Sequence, residues 1–84
     1  MVRDGLLIFN SVHKVMKAEK LLKGAGLNAR VMPVPRQLSS DCGLALALPF
    51  EDVASASARL SGQGVEPEEI WRLAANGDYE RVRL

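Results

Sequence analysis

Two short apolar runs, Leu6-Leu7-Ile8-Phe9 and Leu44-Ala45-Leu46-Ala47-Leu48, each stand just ahead of a helix-start signal, and this pairing restricts the fold more than any other feature. Four or five apolar residues without polar alternation predict a strand covered on both faces. After the first run, Asn10-Ser11 offers N-cap chemistry, because a short side-chain oxygen can accept an N–H that the first helical turn leaves open. After the second, Pro49-Phe50-Glu51-Asp52 opens a helix with proline preset for its first turn and two acids where the helix dipole favours them. A strand-then-helix unit therefore occurs twice.

The spacing of Val12, Val15, Met16, Leu22 and Ala25 predicts one helical face, with Ala18 and Leu21 beside it, while Lys14, Lys17, Lys20 and Lys23 go to solvent. Glu19 and Lys23 form an i,i+4 pair, and Gly24 or Gly26 ends the helix. Residues 29–34 read as a second strand. Pro33 and Pro35 cannot donate ladder hydrogen bonds, so that strand belongs at a sheet edge. The run 44–48 then supplies a central third strand, and Val53, Ala56 and Leu60 form the inward stripe of the second helix, which Gly62 or Gly64 stops. Residues 70–75 and 78–84 flank Asn76-Gly77, a strong hairpin signal that adds a fourth and a fifth strand. The order βαββαβ with an appended strand predicts an α+β, ferredoxin-like two-layer sandwich. Its sheet is mainly antiparallel, both helices lie on one face, and a β-hairpin extends the C-terminus.

An 84-residue chain with 48% apolar residues and four aromatics builds one small domain over 1–84 from Leu, Val, Ile and Ala, its core at about 6–73 and the hairpin at about 70–84. Residues 1–40 carry seven basic side chains against two acids, a balance of +5, and residues 41–84 carry four against eight, or −4. A nucleic-acid binder is usually basic throughout with aromatics on the basic face, so this layout suits an acidic protein patch or a small anion instead. Residues 1–9 are too short a stretch, and charged too early, for a signal peptide or membrane span, which predicts a cytoplasmic protein with no membrane partner.

The single cysteine, Cys42, lies in Ser39-Ser40-Asp41-Cys42-Gly43, between the edge strand and the central strand. In a split βαβ arrangement the end of strand two, the following turn and the start of helix one share one edge of the sheet, so Cys42 is expected to face Ser11, His13 and Arg36. A helix N-terminus and a cation beside a thiol favour the anion, Asp41 works against it, and Gly43 lets the backbone turn tightly behind the sulfur. Each feature also has a plainer reading. Cys42 can be an inert thiol under the turn, His13 a helix-surface residue, and Ser39, Ser40 and Asp41 ordinary turn formers. One Cys and one His fall short of a zinc site, so neither metal nor cofactor is expected. Gly24-x-Gly26 lacks the third glycine of a nucleotide loop, and no nucleophile elbow supports a hydrolase triad of Ser11 or Ser40, His13 and Asp41.

Three stretches together resemble a small bacterial family described as putative Se/S carrier protein-like: Ser11-Val12-His13 with residues 17–23, Pro33-Val34-Pro35-Arg36, and Ser39-Ser40-Asp41-Cys42-Gly43-Leu44-Ala45-Leu46. The resemblance spans roughly residues 6–73 and implies that Cys42 bears the sulfur or selenium. Val12 stands where Thr is more usual and Val15-Met16 where Ala-Leu is, changes expected to be adjustments of the core. The resemblance implies a carrier rather than an enzyme with its own turnover: Cys42 takes a chalcogen from a protein donor such as a cysteine desulfurase and passes it to an acceptor. The second reading is a non-catalytic adaptor, possible as a homodimer through the sheet edge or its outer face, in which Cys42 only packs.

Overall fold

The computed structural model describes residues 2–38 and 42–83. The elements run β1 (Gly5–Ile8), α1 (Val12–Gly24), β2 (Arg30–Pro33), β3 (Leu44–Leu48), a 3-10 turn (Phe50–Asp52), α2 (Val53–Gly62), β4 (Glu69–Leu73) and β5 (Tyr79–Val82). They form one sheet in the order β2-β3-β1-β4-β5, with each neighbouring pair antiparallel. Strands β1 and β2 are thus parallel to each other with β3 between them. This is the ferredoxin-like α+β arrangement with β5 added outside β4.

The two helices share one face of the sheet. Leu7 stands opposite Leu46 and Ile70 in register, Leu48 lies beyond, and these side chains pack with Val15, Ala18 and Leu22 of α1 and Val53, Ala56 and Leu60 of α2. Each fully buried Leu or Val of this layer contributes about 1.5–3 kcal/mol relative to exposure. The other face carries Leu6, Ile8, Ala45 and Ala47, also buried, although no helix lies there. Met32, Val34, Leu38, Trp71 and Tyr79 close over them instead, so the central strands are covered on both faces as their unbroken apolar runs require.

Local chemistry fixes the element ends. Ser11 caps α1 in extended conformation, its hydroxyl accepting from the Lys14 N–H at 3.2 Å. At the other end, Gly26 adopts φ +82° and the Leu27 N–H reaches back to the Leu22 carbonyl at 2.9 Å, the Schellman closure. The hairpin turn holds Ala75, Asn76 and Gly77 between Ala74 and Asp78, with only Gly77 at positive φ and the Asn76 side chain accepting from the Asp78 N–H. It is therefore a three-residue turn closed by a left-handed glycine, in place of the two-residue form in which both central residues are left-handed.

Strand β2 lies at the edge, and its backbone explains how the edge is managed. The Val34 N–H donates to the Gly43 carbonyl at 3.0 Å, so by the alternation of an antiparallel ladder the N–H of Val31 points outward and so does the nitrogen of Pro33. Proline has no N–H to offer, and the Val31 N–H is taken by Glu19 Oε2 at 3.3 Å. The same carboxylate pairs with Lys23 Nζ at 3.2 Å, the i,i+4 contact expected from the sequence.

The rotation of α1 departs from the expected stripe. Val15, Ala18 and Leu22 face inward, whereas Val12 and Met16 are 45% and 50% exposed, so neither is an adjustment of the core. Ala18 and Leu22 take the centre of the buried face. Met16, one position beyond Val15 and so about 100° around the helix, is carried out to solvent.

Candidate functional site

Cys42 lies two residues ahead of β3 and is half-buried, which sets it deeper than an exposed loop tip. Its single S–H has two carbonyl acceptors in reach, Phe9 at 3.4 Å and Leu44 at 3.3 Å from Sγ, and it packs against the rim of the helix-side core. Phe9 is wholly buried and follows β1 directly; two residues later Ser11 caps α1. The sulfur therefore sits where the end of β1, the entry to α1 and the start of β3 meet.

The connection that carries it is pinned on both faces of the sheet. Val34 and Gly43 close its neck, and the Leu38 N–H donates to the Pro35 carbonyl at 3.0 Å to form a turn. Leu38 packs on the outer-face cluster while Cys42 packs on the helix-side cluster. Gly43 adopts φ +75°, a left-handed conformation that other residues enter at a cost, and a Cβ built there meets no atom of the described residues within 4 Å. The glycine thus serves the backbone path beside the cysteine.

The other residues singled out from the sequence are placed as follows. Ser11 is half-buried at the helix start, occupied by its capping bond. His13 is exposed on the first turn of α1, and Arg36 is exposed in the Pro35–Leu38 turn; neither makes a hydrogen bond or ion pair among the described residues. Ser39, Ser40 and Asp41 lie outside the described residues. The carbonyls of Phe9 and Leu44 carry no sequence signal, because any residue supplies one; only the topology, which brings the end of β1 to the start of β3, could have pointed to them. Among the described residues no group of three or more His, Cys, Asp or Glu side chains converges to hold a metal ion, and no helix is long and apolar enough to cross a membrane.

A partly buried thiol beside two carbonyl acceptors can exchange its proton and one covalent bond with an incoming group. Residues 4–72 match the model of a family described as putative Se/S carrier protein-like. Over 79 residues, 89% of this chain and 93% of the relative, the sequence is 29% identical to a protein of Escherichia coli (strain K12) described as uncharacterized protein YtiA. No solved structure matches at a significant level. Matched from before β1 to within β4, across both helices and the cysteine connection, this chain belongs to the putative Se/S carrier protein-like family.

Proposed function

We propose that this protein carries a sulfur or selenium atom on Cys42 between a protein donor and a protein acceptor in the cytoplasm. The observation that carries the reading is that a chalcogen carrier of this kind needs one thiol, and the sequence contains one, inside the span that matches the family. In the loading step the Cys42 thiol gives its proton to solvent and the sulfur attacks the terminal sulfur of a donor persulfide. The new Cys42 S–S bond forms as the donor S–S bond breaks, and the donor leaves as a thiolate. Discharge runs the same exchange with an acceptor thiolate, Cys42 being the leaving group, so no net oxidation or reduction occurs.

The contacts to the Phe9 and Leu44 carbonyls require the S–H proton, so loading begins with the sulfur swinging clear of them. Ser11 keeps the entry to α1 fixed beside the sulfur, and His13 and Arg36, exposed on the two elements flanking it, supply the rim that an anionic persulfide approaches. Intact-protein mass spectrometry after exposure to inorganic polysulfide tests the first step. One extra sulfur on the parent and none on Cys42→Ser is the expected result. No extra sulfur on the parent overturns the proposal.

A further inference from the structure

Helix α1 presents an outward face that the core does not use. A shallow groove of about 580 Å³ runs along the helix on its side toward α2, lined by Lys17, Lys20, Leu21, Gly24, Ala25 and Arg59. The floor of this groove is aliphatic and three cations border it, with no carboxylate in its lining among the described residues. The only acid of α1, Glu19, is turned toward β2 and held there by the Val31 N–H and Lys23.

We infer that this face of α1 docks an acidic protein segment with apolar side chains among its carboxylates, belonging to the protein that exchanges the chalcogen with Cys42. The inference rests on the carrier reading for its biological partner, but the surface is defined by its own charge and shape. Carboxylates would meet Lys17, Lys20 and Arg59 while aliphatic side chains lie on Leu21 and Ala25. The face has no aromatic platform for nucleic-acid bases: Trp71 and Tyr79 pack on the opposite side of the sheet.

The test titrates the isotopically labelled full chain, followed by NMR, with a synthetic helical peptide of Glu and Leu at i,i+4 spacing, its Lys counterpart, oligo(U) RNA and phosphatidylglycerol vesicles. The acidic peptide should shift Lys17, Lys20, Leu21, Ala25 and Arg59 saturably, the basic peptide should not, and rising salt should weaken the effect. Lys17→Glu/Lys20→Glu, both exposed positions whose exchange leaves the fold intact, should weaken the acidic peptide about tenfold. Absent shifts, an unchanged titration in the double variant, or tighter binding of RNA or vesicles to the same residues each overturn the inference. Polysulfide loading of Cys42 in this double variant should match the parent. Failure of loading in both proteins would sink the carrier reading and leave the groove's selectivity to stand or fall on its own titration.

Discussion

Replacing the sulfur of Cys42 separates a thiol kept for its chemistry from one kept for its packing. Cys42 is half-buried against the helix-side core, and its single S–H has the carbonyls of Phe9 and Leu44 in reach. A buried group the size of a methylene contributes about 0.8 kcal/mol, an upper figure for a sulfur that is partly exposed. A serine hydroxyl is a stronger donor than a thiol and can still reach one of the two carbonyls, which offsets part of the loss. Cys42→Ser should therefore cost less than about 1 kcal/mol. Cys42→Ala, which also gives up the S–H donor, should cost about 1 kcal/mol. For a domain of this size 1 kcal/mol corresponds to about 4–8 °C in Tm, so the serine variant should melt within a few degrees of the parent by circular dichroism. A serine variant destabilised by more than about 2 kcal/mol would show the thiol to be a packing element and refute the reasoning.

Other features of the fold give equally specific expectations. A Cβ at Gly5 would lie 2.6 Å from Val53 Cγ2, 3.0 Å from the Leu48 carbonyl oxygen and 3.1 Å from Phe50 Cα, so Gly5→Ala should cost about 1–3 kcal/mol in thermal melts. Adding Val53→Ala should fail to restore the parent value, since two of the three obstacles are backbone. Removing the carboxylate in Glu19→Ala strands the outward N–H of Val31; amide exchange at Val31 should accelerate ahead of its β2 neighbours, with a stability loss of about 1 kcal/mol, and unchanged exchange there would contradict the edge assignment.

Much of this architecture is legible in the sequence because strands and helices here follow their simplest patterns. The unbroken runs at 6–9 and 44–48 read correctly as central strands, and Pro33 marks the edge because it sits where the ladder points no donor inward. The inward stripe of α2, Val53, Ala56 and Leu60, is as its spacing implies. The rotation of α1 is not legible, since the five apolar positions outnumber what the buried face accepts and their choice depends on packing against the sheet and α2. Nor could composition say that the second sheet face is closed by Met32, Leu38, Trp71 and Tyr79 in place of a helix. At the site, topology alone brings Cys42 to the start of α1. The inward turn of its sulfur depends on two backbone carbonyls, for which no residue type is a marker.

Transfer from a protein donor tests the carrier role most directly. A cysteine desulfurase charged with isotopically labelled cysteine is mixed with the full chain, and the labelled sulfur is then located by peptide mapping. The account predicts one labelled sulfur on Cys42 in the parent and none anywhere on the folded Cys42→Ser variant. A parent that leaves the mixture unlabelled, or a serine variant labelled as fully as the parent, would contradict it.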